Sequence, residues 1–342
     1  MGPSGRGIRE GCQVAVSCRP AEVANIISML ATIERFFEPL LRVVERVQEP
    51  AFQPMAQALA FWAMASLAVV AVAWAAGLFG SRGMVRAPLR RCRLEPVDLV
   101  VVIGIYLLGQ VVMMGVVQVV VGPDGAIADL SPRMYAWIAV LGTLLVHLPM
   151  AGWILYRAGL DREGLRQLGL LPRGHPAVEV GIGVLALLAA APLVTFAAML
   201  GMAVATMVFG VEPPPIGHEL LEQMRVAPDW LSIALMLGVA LLAAPLLEEI
   251  VFRGLVHNAL ARVLGPHRRW GIILLSAVIF TLIHLGAVLP YALGSLFMLA
   301  IVLGWLYERT GSLWPPIVVH FLFNALNTIM AWQVDLEMPV PS

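Results

Sequence analysis

Residues 230–254 read WLSIALMLGVALLAAPLLEEIVFRG. From Trp230 to Leu247 the stretch runs 18 residues without a charge, close to the about 20 that a helix needs to cross a hydrocarbon core. It then closes on two adjacent carboxylates and an arginine. Only 13% of the whole chain is charged, 60% is hydrophobic and the mean hydropathy is +0.87, whereas soluble domains carry roughly a quarter charged residues. This composition excludes an ordinary soluble domain and predicts a membrane protein.

Seven more segments are long and apolar enough to join it, giving spans near 55–79, 97–122, 135–156, 178–202, 230–252, 270–289, 291–307 and 313–332. The expected fold is all-α, a polytopic transmembrane helical bundle of about eight spans. Ahead of it, apolar residues recur at Leu30, Ile33, Phe36, Phe37, Leu40, Leu41, Val44 and Val47, with Glu34, Arg35, Glu38, Arg42, Glu45 and Arg46 between them. That spacing predicts an amphipathic helix lying on the bilayer. Residues 1–28 have no periodicity, and Met29 is an alternative start. The Pro-rich run Glu212-Pro213-Pro214-Pro215 marks a boundary. The expected organisation is thus a tail and interfacial helix over 1–50, an N-terminal transmembrane module over 51–210 and a chemical core over 211–335.

All 22 basic residues are arginine and 22 acidic residues balance them, so no net field draws the chain to nucleic acid. Cys12, Cys18 and Cys92 have neither metal spacing nor a disulfide framework. The first long apolar run begins only near Met55, so targeting is expected from the spans rather than from a cleaved signal. Arginine distribution sets the sidedness: Arg82, Arg86, Arg90, Arg91 and Arg93 follow the first span. Arg157, Arg162, Arg166 and Arg173 follow the third, and Arg262, Arg268 and Arg269 the fifth. These connectors are expected in the cytoplasm, with the chain in the inner membrane. The opposite connectors hold Arg133 and Arg225 among Asp124, Asp129, Glu212, Glu219, Glu222 and Asp229. The alternation leaves Arg35, Arg42 and Arg46 on the outer side, against the same rule.

A carboxylate at membrane depth costs about 2.5–3.5 kcal/mol on insertion scales, and usually marks function or a buried partner. Glu249 and Arg253 stand four apart with the acid first, the better order for a helical ion pair, which leaves Glu248 free. Phe280 and His284 share a face of the sixth span, and His320 and Asn324 a face of the eighth, with Asn327 one turn on. Taken singly, each has a structural explanation: an ion pair, an interhelical hydrogen bond, packing. Together, a carboxylate, two imidazoles and a carboxamide in a low-dielectric site supply what water activation and oxyanion stabilisation require.

The series Glu248-Glu249-x-x-x-Arg253, Phe280-x-x-x-His284, His320-x-x-x-Asn324 resembles the CPBP family of CAAX proteases and bacteriocin-processing enzymes. The likeness covers roughly residues 225–330. It implies an intramembrane endopeptidase in which Glu248 and His284 polarise the attacking water while His320 and Asn324 stabilise the oxyanion, with Glu249, Arg253 and Phe280 in support. It further implies a membrane-associated protein or peptide substrate. Because Glu248 lies near the end of its span that the arginines place in the cytoplasm, the site is expected to open toward the cytoplasm. Glu248, His284 and His320 also suffice in kind for a zinc first shell with an open position, although no His-Glu-x-x-His is present.

Two other classes compete with the protease. A non-catalytic scaffold or bacteriocin-immunity type of protein would keep the fold and bind a partner, but has no need of four intact polar groups. A transporter would show inverted repeats and broken helices in matching halves, which this sequence lacks. Elsewhere, His147 is expected as an interhelical donor and Gln110 and Gln118 as packing polar groups. His257 and His267 are expected at the solvated or headgroup-facing surface, and Trp314-Pro315-Pro316 as an interfacial helix start.

The arginine distribution predicts that a reporter inserted in the connector 157–176 reads out in the cytoplasm and one fused after Ser342 reads out on the opposite side. Alkaline-phosphatase and fluorescent-protein fusions check this, and a cytoplasmic Ser342 fusion contradicts it.

Overall fold

A computed structural model of the chain describes residues 52–80, 93–122, 130–210, 213–265 and 267–333. The amphipathic helix expected over 29–48 and the tail before it lie outside the described residues. The described residues form helices and no strand: α1 (Gln53–Ala75), α2 (Pro96–Val121), α3 (Pro132–Ala158), α4 (Arg162–Leu168), α5 (Pro176–Phe209), α6 (Glu219–Arg225), α7 (Trp230–Leu264), α8 (Arg269–Ile283), α9 (Pro290–Thr310) and α10 (Trp314–Gln333).

All eight apolar segments read from the sequence are helical, and six of them, α1, α2, α3, α5, α7 and α9, are long and apolar enough to cross a membrane by length and composition. The two exceptions have physical causes. α8 has 15 residues, which at 1.5 Å each reach only about 22 Å, because the chain leaves the helix at His284 and turns through Gly286 at φ +98°. α10 has 20 residues but carries Pro315, Pro316, His320, Asn324 and Asn327, which dilute its apolar character. The protein is an all-α polytopic helical bundle, and its surface fits lipid: Phe61, Leu67, Leu107 and Leu185 are exposed, and Val119 is 86% exposed, the reverse of what water permits over a contiguous face.

The core gathers around α9. Leu299 and Leu303 of α9, Ile272 and Phe280 of α8, Leu255 of α7 and Val319 of α10 are all fully buried in one cluster. Small residues bring the backbones together. Gly201 of α5 abuts the main chain of Tyr291, where a Cβ has no room, and Gly183 of α5 lies against Val318 and the Pro315 carbonyl of α10. At one end of the bundle, the Leu313 amide donates to the Gly169 carbonyl at 2.8 Å and Arg269 reaches Glu308 at 3.1 Å. At the other, the Leu289 amide donates to Gly217 at 2.8 Å and the Glu219 amide to Ala287 at 3.2 Å. Those two bonds clip the connector before α7 to the loop after α8.

Several sequence expectations need correction. The fifth span, read as 230–252, runs to Leu264 over 35 residues, so Glu248 falls near its middle rather than near an end. His257 is therefore no connector residue: it is fully buried, with Nε2 2.9 Å from Glu308 Oε1. His267 is exposed as expected. Gln110 and Gln118 are exposed rather than packed between helices, and the buried Nδ1 of His147 has no hydrogen-bond partner among the described residues. Trp314 does open a helix, with its indole N–H donating to the Leu170 carbonyl at 2.8 Å.

Candidate active site

α7 is not a regular α-helix. Two π-helical stretches, Gly238–Ala243 and Ile250–Val256, flank the single α-turn Ala244–Glu249 that carries the diacid. The first has a cause in the sequence. Ala244 donates its N–H to Val239 five residues back, and Pro245 has no N–H to give. The Ala240 carbonyl is thereby left without a partner in its own helix, and Asn324 of α10 donates its side-chain amide to it at 2.8 Å. The second stretch is stapled in the same way, by the Asn258 amide on the Arg253 carbonyl at 3.1 Å and the Gly254 carbonyl at 2.8 Å. Such widened turns recur at functional sites. Here they set where the two glutamates point.

Glu249 is fully buried, and its Oε1 accepts from Arg253 at 2.8 Å and lies 3.0 Å from His320 Nδ1. The ion pair expected at four-residue spacing is thus present, with a second partner that the spacing did not reveal. Arg253 also donates to the Ala300 carbonyl of α9 at 3.2 Å, and its guanidinium lies 5.0 Å from the centre of the Phe280 ring. That ring is the packing centre of the site, 4.7 Å from His284 and 5.9 Å from His320. A carboxylate accepting from Nδ1–H fixes the His320 tautomer and leaves Nε2 facing the opposite way.

Glu248 is the opposite of its neighbour. Its Oε2 is buried without a hydrogen-bond partner among the described residues. It stands 3.7 Å from His284 Nε2 and 3.9 Å from His320 Nε2. His284 Nδ1 lies 2.7 Å from the Phe280 carbonyl, which can only accept, so Nδ1 carries the proton and the neutral ring turns its Nε2 lone pair toward Glu248. Three helices therefore bring Glu248, His284 and His320 together at distances too long for direct hydrogen bonds, the spacing at which a water molecule bridges. A tetrahedral metal with bonds of about 2.0–2.1 Å holds its ligand atoms roughly 3.3–3.4 Å apart. The observed separations are wider, and among the described residues no group of three or more His, Cys, Asp or Glu has the arrangement of a metal site. The zinc set Glu248, His284, His320 does not fit as placed.

Asn324 lies one turn from His320 with one amide N–H committed to the Ala240 carbonyl. Sequence reading missed His218, which lies in the connector before α7. It pairs in an isolated antiparallel bridge with Val288, four residues past His284, and its ring is within electrostatic reach of His284 and Glu248. A lone histidine after three prolines has no periodicity to betray it. Arg269 and His284 stand at opposite ends of α8.

Residues 230–326 match the family described as type II CAAX prenyl endopeptidase, Rce1-like, the segment that holds every motif of the resemblance. Over 155 residues, 44% of this chain and 58% of the relative, the sequence is 29% identical to the Bacillus subtilis (strain 168) protein named "Putative membrane peptidase YdiL". The chain thus spans under two thirds of the length of that relative. No solved structure matches the chain. The region from Trp230 onward is accordingly Rce1-like in sequence, and both likenesses support a membrane peptidase.

The Ala240–Asn324 bond predicts a rescue. Asn324→Ala strands a buried carbonyl and is expected to cost about 1–3 kcal/mol, whereas adding Pro245→Ala restores an in-helix donor and recovers part of that loss. Thermal unfolding in detergent checks it: a double variant no more stable than Asn324→Ala contradicts this account of the π-helical turn.

Proposed function

We propose that this protein is an intramembrane endopeptidase of the bacterial inner membrane, hydrolysing peptide bonds in membrane-associated proteins or peptides, with residues 211–335 as its catalytic core. The observation that carries the reading is the unpartnered, buried Glu248 oxygen between two imidazole Nε2 atoms. An unsatisfied buried charge is costly, and sites that retain one do so for chemistry.

In the mechanism we assign, a water held between Glu248 and His284 attacks the scissile carbonyl carbon as Glu248 takes its proton. The carbonyl π electrons move onto oxygen, where His320 Nε2–H and the second Asn324 N–H stabilise the negative charge. Glu249 holds the His320 Nδ1 proton and so keeps Nε2 turned toward the oxyanion, a role that requires a proton on Nε2 as well. Collapse of the tetrahedral intermediate breaks the C–N bond, and Glu248 returns its proton to the departing amine, leaving a carboxylic acid and an amine. Phe280 and Arg253 do no bond-making; they keep the two rings and Glu249 in register. No step requires a metal ion.

The test is cleavage of a membrane-embedded reporter peptide by purified protein in lipid. Glu248→Gln is expected to fold and insert normally but to cleave 10²–10⁴-fold more slowly, the roughly expected loss of a general base. Strong chelation is expected to leave wild-type cleavage unchanged. If Glu248→Gln, His284→Ala, His320→Ala and Asn324→Ala all cleave like wild type, the protease reading is wrong and a partner-binding membrane scaffold takes its place.

A further inference from the structure

The connector between α5 and α7 brings one more histidine to the site. His218 caps α6, its Nδ1 accepting the Leu220 N–H at 3.1 Å. An imidazole nitrogen that accepts has no proton, so in the neutral ring the proton sits on Nε2, on the side away from the cap. The backbone places the residue firmly. The Leu289 amide donates to Gly217 at 2.8 Å, the Glu219 amide to Ala287 at 3.2 Å, and the Ala287 and Val288 amides to the His284 carbonyl at 3.1 and 3.0 Å. His218 and His284 thus belong to one hydrogen-bonded corner. The connector is braced again where the Tyr291 hydroxyl donates to the Pro214 carbonyl and where Gly217 lets the Ala292 side chain approach.

We propose that His218 is a substrate-positioning residue of this site, a neutral imidazole whose Nε2–H donates a hydrogen bond to a main-chain carbonyl of the peptide flanking the scissile bond. The proposal rests on the protease reading above. Burial pushes the ring down to about 4, against the opposing pull of Glu248, so at neutral pH it is an uncharged donor. Such a donor orients a peptide without competing with Glu248 for the water proton. It serves ground state and transition state alike, and therefore acts on KM rather than kcat.

The helix cap separates this role from a structural one. Asparagine is a strong N-cap acceptor, so His218→Asn keeps the cap but removes the far-side donor, whereas His218→Ala removes both. In lipid, with the reporter peptide, His218→Asn is expected to keep the wild-type melting temperature and kcat while KM rises roughly three- to tenfold, the worth of one neutral hydrogen bond. His218→Ala is expected to show the same KM and a lower melting temperature. ¹⁵N-histidine spectra of the full chain are expected to show an Nε2–H tautomer for His218 whose signal shifts when peptide is added to the Glu248→Gln protein. Wild-type KM in His218→Asn, alongside an inactive Glu248→Gln, makes His218 a helix cap only and overturns the proposal while the protease reading stands. A fall in kcat at unchanged KM also overturns it, placing the ring among the reacting groups. Absence of any Glu248-dependent cleavage by wild type overturns both.

Discussion

One buried carboxylate oxygen organises this protein. Glu249 Oε1 serves both Arg253 in its own helix and His320 in α10, and Arg253 in turn holds the Ala300 carbonyl of α9 and lies over Phe280 of α8. Four helices thus meet through one ion pair. Removing one partner of such a pair leaves an uncompensated charge in a low-dielectric interior, at a cost of about 3–5 kcal/mol. The geometry around Glu248 is a consequence: its two histidine neighbours are positioned by Glu249 and by the Phe280 carbonyl, not by Glu248 itself.

The backbone of α7 follows the same logic. A proline that withholds one N–H widens the helix, the freed carbonyl recruits an asparagine from another helix, and that asparagine belongs to the site. In lipid, where no water satisfies a stray carbonyl, such a defect is tolerated only if side chains close it. Asn324 and Asn258 do so at the two π-helical stretches, on either side of the diacid. At the far end of α7, His257, Glu308 and Arg269 form a separate buried polar cluster that ties α7 to α8 and α9.

Much of this was legible from residue spacing. Four-residue intervals on helices place Glu249 with Arg253, Phe280 with His284 and His320 with Asn324, because a helix repeats its faces at that interval whatever surrounds it. Apolar runs likewise predict all eight helices. Spacing fails where the chain departs from regular geometry. The end of α8 at His284 depends on a loop clipped to a distant connector, so the sixth segment was read too long. The extension of α7 to Leu264 places His257 2.9 Å from Glu308, which also reaches Arg269, a contact between distant parts of the chain that local spacing does not encode. His218 is placed by two backbone hydrogen bonds, Leu289 to Gly217 and Glu219 to Ala287, that join segments far apart in the chain, and no local pattern encodes that.

The dependence of the site on a single shared charge is most directly measured by a double-mutant cycle on Glu249 and Arg253, read as thermal unfolding in lipid nanodiscs with Glu249→Gln, Arg253→Met and the pair combined. The account predicts that each single change is strongly destabilising and that the double variant loses much less than their sum, because the second substitution removes the charge the first left stranded. Strict additivity would contradict it, since the two side chains would then contribute independently and Glu249 would not be the point on which the helices depend.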